Sequence, residues 1–303
     1  MLTNSLMLEV DYVGSRGVKQ SLFTNTNTAL PGPGEVGTDA HPRILGNAYG
    51  AVSLMANQAS SSYHSMQVKL EKRFSNGLQF LSSYTWGKEM DIGGSGFSNS
   101  VAPQNPFNWA ADRAVGIFNR AQIFTFSYYY QLPFGRGKAF MNNANKFVDA
   151  VLGGWEMTGI AHYNTGYPIN VGYPGDVANI GPRSGGQRPN WVGGSPRRLL
   201  NPNDRRQGWV NQANYAPPAL YTFGNAGRNL EVGPGSGYFN PGFLKNFPFG
   251  EGRAVQFRAE FFNFWNQHAM GCIHSTYGDT VIGQADCTQQ GSREVQFGLK
   301  VLF

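Results

Sequence analysis

Residues 293–303, REVQFGLKVLF, place Val295, Phe297, Leu299, Val301 and Phe303 on one face of an extended strand and Gln296, Gly298 and Lys300 on the other. Side chains alternate faces with a period of two. The stretch therefore predicts one strand of a transmembrane β-barrel wall, its apolar set meeting lipid and its polar set meeting a wet lumen. A soluble edge strand alternates in the same way, but it ends more often in a polar tail than on an aromatic.

Working back from that strand, seven more stretches alternate. Leu6, Leu8, Val10 and Tyr12 stand against Met7, Glu9 and Asp11; Met66, Val68 and Leu70 against Gln67, Lys69 and Glu71; Leu78, Phe80, Tyr84 and Trp86 against Gln79, Ser83 and Thr85. Further on, Phe124, Phe126, Tyr128, Tyr130 and Leu132 alternate with Thr125, Ser127 and Gln131, and Trp155, Met157 and Tyr163 with Glu156, Thr158 and His162. A weaker strand covers about 239–247, and Val255, Phe257, Ala259 and Phe261 alternate with Gln256, Arg258 and Glu260. Eight strands with one greasy and one polar face are thus expected.

The connections alternate too. Long links are expected at about 15–62, 88–119, 173–238 and 267–292. Between them fall a tight turn at Ser75–Gly77, a moderate turn from Pro133 and a short turn at 248–253. Short turns at one end and long loops at the other are the pattern of an outer-membrane barrel, with the short turns in the periplasm and the long loops outside the cell. A β-sandwich is not expected to sort its loops so regularly.

Composition narrows the alternatives. The 303 residues are 41% hydrophobic, 14% aromatic and 14% charged, with 40 Gly and 17 Pro. No run approaches the roughly 20 consecutive apolar residues that a spanning helix needs, so a membrane crossing has to be made by strands. Residues 1–9, MLTNSLMLE, contain no basic residue, long apolar core or cleavage site, so no signal peptide is read there. The chain is expected to be the C-terminal piece of a longer protein, or to start at an internal Met.

The order of several stretches resembles the C-terminal barrel half of Oar-like TonB-dependent receptors. They are LEVDYVGSRG (8–17), QVKLEKRFSNGLQFLSSYTWGKEMD (67–91), LGGWEMTGIAHYNTGYPINV (152–171), RPNWVG (188–193), FGNAGRN (223–229), LKNFPFGEGRAVQFRAEFFNFWN (244–266) and the terminal FGLKVLF. The resemblance implies an all-β fold over 1–303, in which about eight antiparallel strands belong to a 22-stranded barrel. The N-terminal plug, TonB-contacting segment and carboxypeptidase-regulatory-like β-domain of that family have no counterpart in these residues.

Candidate chemistry is sparse. Cys272 and Cys287 fall in one long loop and are expected to form a disulfide worth about 3 kcal/mol. The alternative is a metal site built from His268, Cys272, His274 and Asp286 or Cys287, although the spacing fits no strong ligand motif. His41, His64 and His162 are scattered, and His162 reads as a lumen residue. Asp39, Asp91, Asp112 and Asp176 lie in long loops without the ordered run of oxygen ligands that Ca²⁺ requires. No nucleophile elbow, phosphate loop or carboxylate pair is present, so neither an enzyme nor a cofactor is expected.

The net charge of +6 is concentrated in 173–238, where seven arginines oppose three carboxylates. Arg197, Arg198, Arg205 and Arg206 are the candidate contacts for lipopolysaccharide phosphates or another anion, the arginine fork being suited to such groups. A solvated loop is the competing reading. Nucleic acid is not expected as a partner, because no basic helix or stacking platform is found. Tyr12, Trp86, Trp155, Trp265 and Phe303 are the candidates for the aromatic girdle at headgroup depth.

Taken together, these features predict part of an outer-membrane receptor or transporter that binds an unidentified ligand through loops and lumen. Its expected partners are outer-membrane lipid, the barrel-assembly machinery at the C-terminal strand and, through a plug elsewhere, TonB. The rival readings are a small self-contained barrel serving as an adhesin or structural protein, and a secreted glycan-binding β-sandwich.

Overall fold

A computed structural model describes residues 3–93, 103–181, 186–194 and 206–303. Eight long strands dominate it: β1 (Leu6–Asn25), β2 (Ser53–Ser75), β3 (Leu78–Asp91), β4 (Gln122–Gln131), β5 (Trp155–Asn164), β6 (Ser236–Pro248), β7 (Ala254–Phe262) and β8 (Glu294–Leu302). Each pairs antiparallel with its neighbour in sequence, giving one sheet in the order β1 to β8, and the two-residue strand Ala114–Val115 adds to the far end of β3. No described helix is long and apolar enough to cross a membrane.

The register aligns the sequence pattern across the sheet. Val10 faces Val68, Val68 faces Tyr84, Tyr84 faces Phe124 and Phe124 faces Tyr163. At the other edge Phe257 faces Leu299 and Ala259 faces Phe297. Because side chains change face at every residue, this register puts the apolar set of all eight strands on one side; a slip of one residue would reverse it. The opposite side carries Lys69, whose Nζ lies 3.4 Å from Glu9 and 3.2 Å from Glu71, and the Arg258–Glu260 pair. No protein layer covers the apolar side near β8, where Phe297 and Leu299 are 68% and 76% exposed. A soluble sheet would bury such a face.

At one end of the sheet the connections are close. Asn76 and Gly77, with φ of 51° and 78°, make the two-residue turn between β2 and β3; both conformations are left-handed, as a twist-matched hairpin requires. Between β6 and β7 the turn closes with Phe249 N–H donating to the Arg253 carbonyl at 3.0 Å. The link from β4 to β5 is longer than a turn and contains the helix α1 (Lys146–Leu152), capped by the Asn145 side chain accepting from Val148 N–H at 2.8 Å.

Two expected boundaries need correction. β1 and β2 are 20 and 23 residues long, so the loop placed at 15–62 shrinks to 26–52. At about 3.3 Å per residue these strands run roughly 65–75 Å, far beyond a lipid band about 25 Å tall. Their upper parts, including QASSS at 58–62, lack apolar alternation, and bulges at Gly17/Gln20 and Gln20/Leu22 break the register. Periodicity therefore gave no sign of strand there; pairing of one long strand with the other maintains it. Among the described residues the outer edges of β1 and β8 pair with no further strand, so the sheet is open.

Candidate functional site

The main hydrophobic core lies in the long connections rather than in the sheet. Ile169, Val171, Trp209, Val210, Tyr215, Ala226 and Ala285 cluster together, with Tyr167, Trp191, Leu230 and Ile273 packed around them. Three two-stranded ribbons frame this cap: Pro168–Ile169 with Glu231–Val232, Asn190–Trp191 with Tyr215–Ala216, and Met270–Ile273 with Ala285–Thr288. The last ribbon carries the Cys272–Cys287 disulfide, Cα–Cα 5.5 Å. It joins the rest of the cap through Trp209 N–H to the Gly283 carbonyl at 3.0 Å and through a Tyr173–Tyr277 stack. The loop after β1 joins as well: the Asn179 side-chain amide donates to the Gly32 and Gly34 carbonyls, and His41 Nε2 lies 2.7 Å from the Leu30 carbonyl.

Buried charges lock the cap onto the end of β3. Arg188 Nη2 is 2.5 Å from Asp112 Oδ1, with side chains 4% and 2% exposed, and its Nε donates to the Ala226 carbonyl at 2.8 Å. Gln104 joins the same network by accepting from Arg188 N–H and donating to the Gly224 carbonyl, while its own backbone N–H donates to Asp112. Arg228 pairs with Asp91 and donates to the carbonyls of Asp91 and Asp112. Asn229 adds a bond to the Val115 carbonyl at 2.7 Å. Buried ions need such pairing because neither partner has water to replace the other.

These contacts explain the stretches RPNWVG and FGNAGRN in physical terms. Arg188 and Arg228 are the two cations that bind the loop after β3 to the loop after β5. Gly224 is required because any Cβ there would strike the Arg188 and Pro189 carbonyl oxygens. Arg188 and Arg228, two of the seven arginines of 173–238, are thus neutralised inside the cap by carboxylates from outside that stretch. Asp91 and Asp112 are occupied in the same way, and Asp176 accepts from Gly181 N–H and the Gln187 amide. Spacing gave no hint of these pairings, since the partners lie 76 and 137 residues apart.

Of the four anion-contact candidates, Arg197, Arg198 and Arg205 lie outside the described residues. Arg206 is exposed, and its carbonyl accepts from Ala285 N–H at 2.7 Å. With both thiols in the disulfide, the metal set built on Cys272 and Cys287 has no thiolate to offer, and no other group of three ligating side chains is placed to hold a metal among the described residues. His274 is flanked instead by Asp286 and Asp279; the hydrogen bond to Asp286 raises its pKa most, with the charges of both carboxylates adding. His162 stacks on Tyr238 on the polar face of the sheet, and His64 Nδ1 lies 2.5 Å from the Tyr12 hydroxyl.

The aromatic candidates fall at two levels. Tyr12 and Trp86 share a cross-strand row with Met66 toward the cap, and Trp265 follows the cap end of β7; Trp155 opens β5 and Phe303 follows β8 at the turn end. Nine residues of strand, from Leu78 to Trp86, rise about 27 Å along β3. Tilt shortens that to roughly the height of a lipid band.

One ionisable group inside the cap stands apart. Glu231 is 1% exposed, accepts a 2.9 Å hydrogen bond from the Tyr215 hydroxyl through Oε1, and has no partner for Oε2 among the described residues. Burial pushes its pKa up to about 7, against the opposing effect of the Tyr215 bond. Burial and the neighbouring carboxylate also raise that of Tyr215.

No curated protein matches this chain. Among solved structures, the outer membrane transporter YddB from Escherichia coli is similar with a TM-score of 0.45 at 8% identity. The similarity covers 99% of this chain and 30% of that one, so the chain spans less than a third of the transporter's length. A family model described as an outer membrane beta barrel domain matches residues 1–296, and the chain belongs to that family, a protein of the outer membrane.

Proposed function

We propose that this chain is the C-terminal wall of an Oar-like TonB-dependent receptor or transporter, contributing about eight of 22 strands. The cap is displayed outside the cell, where it and the lumen capture a ligand that the complete protein imports. Binding and transport, rather than catalysis, are its work. The observation that carries this reading is the open sheet, whose edges on the 20-residue β1 and the nine-residue β8 pair with no further strand among the described residues, beneath an ordered cap. Open edges are not tolerated in hydrocarbon, so in the membrane further strands complete the wall. The resemblance of the ordered stretches from LEVDYVGSRG to FGLKVLF supports the specific family.

Topology tests the reading. In the complete protein, with Cys272 and Cys287 replaced, single cysteines are introduced as Leu220→Cys in the cap and Asn76→Cys in the β2–β3 turn. A membrane-impermeant maleimide on intact cells is expected to label the first and spare the second. Equal labelling would refute the proposed arrangement, in which a membrane separates cap from turns.

A further inference from the structure

A cleft of about 860 Å³ lies between the wall and the underside of the cap. Its wall side is the row Tyr12–Met66–Trp86, which the register puts on the apolar face, next to the row Val10–Val68–Tyr84. The cap contributes Trp209, Leu230 and Val232. Three of these residues remain open to solvent although they line a concave surface: Tyr12 is 71%, Trp86 59% and Val232 47% exposed. Protein alone does not fill the space.

The charges around it have one sign. In the next row toward the cap, His64 faces Lys88, and both line the cleft. An adjoining space, sharing His64, is lined by Arg16 and Arg113, and Arg113 is held by a 2.9 Å bond to the Ser62 hydroxyl. Among the described residues no carboxylate lines either space. An apolar slot continuous with a lipid-facing surface, topped by cations at the level of an aromatic girdle, complements a hydrocarbon chain below an anionic head.

We propose that this cleft seats an acyl chain of a phosphorylated outer-leaflet lipid, its phosphate held by Lys88 with Arg16 and Arg113 close by. The inference rests on the proposed orientation, cap outward. The lipid would brace the cap against β1–β3 from the membrane side, leaving the polar face of the sheet free for ligand.

Native mass spectrometry of the intact protein, released from detergent micelles containing either phosphatidylglycerol or phosphatidylcholine, tests the proposal. The wild type is expected to retain the anionic phospholipid in preference. Lys88→Glu, at an exposed position, is expected to weaken retention about fivefold or more. Val232→Trp fills the slot and is expected to abolish retention of that lipid. Inorganic phosphate alone should not displace it; displacement would mean a free-phosphate site and overturn the proposal. Equal retention of both phospholipids, or unchanged retention in both variants, would also overturn it. Heat-modifiable migration and cell-surface labelling of the same samples report separately on insertion and orientation. If those fail, the parent reading fails; if they hold while retention does not change, only the lipid cleft is refuted.

Discussion

Replacing Arg188 by Met removes one half of a buried ion pair while keeping most of the side chain's volume. Three bonds bear on the outcome. The 2.5 Å contact to Asp112 and the 2.8 Å bond to the Ala226 carbonyl disappear, whereas the backbone bond to Gln104 remains. Asp112, 2% exposed, is left with the Gln104 N–H and no neutralising charge. Breaking such a pair from one side costs about 3–5 kcal/mol, chiefly the penalty of the stranded ion. At 1.4 kcal/mol per decade, opening of the cap becomes roughly two to three and a half orders of magnitude more frequent. Hydrogen exchange followed by mass spectrometry in outer-membrane vesicles would show this as faster exchange of peptides covering 103–116, 186–194 and 222–232, with β7 and β8 as unchanged references. Adding Asp112→Asn discharges the stranded group and is expected to restore part of the protection. Unaltered exchange in Arg188→Met would refute the claim that this pair holds the cap. So would equal acceleration in cap and wall, which would mean that the whole barrel had been disturbed.

Glu231 gives the cap a pH dependence. Its pKa is raised to about 7 in the folded state from 4.5, so the folded cap holds more protons between these values and loses stability as pH rises through them. The separation of about 2.5 units sets an upper limit of roughly 3 kcal/mol. Cap exchange rates, corrected for intrinsic chemistry, should therefore rise from pH 5 to pH 7.5 in the wild type and stay flatter in Glu231→Gln; identical slopes would remove Glu231 as the cause. The Cys272–Cys287 bond closes a loop of sequence separation 15. Its removal by a double Ser substitution is expected to destabilise the 270–288 ribbon by about 3 kcal/mol and to expose it to limited proteolysis. Two free thiols taking up stoichiometric zinc in the wild type would contradict the bond itself.

The eight strands were legible because membrane strands obey a local rule. Val295 and Phe297 declare their face by their spacing alone, and the same period-two pattern locates β3 through Leu78 and Trp86, with the turn residues Asn76 and Gly77 marking its start. The upper halves of β1 and β2 escaped this reading, since above the lipid band nothing requires one side to be greasy. The cap escaped it altogether. Arg188 and Arg228 look like ordinary loop charges in sequence, and nothing within a window of neighbours points Arg188 to Asp112 or Arg228 to Asp91. Those pairings exist because the open ends of β3, β5 and β6 bring their connections to the same place, where burial makes each charge depend on a partner 76 or 137 residues away. Alternation along the chain determined the wall, a matter of side-chain direction; tertiary structure decided the cap, the buried Glu231 and the cleft between cap and wall, because desolvation and close packing act only between segments that the fold has already brought together.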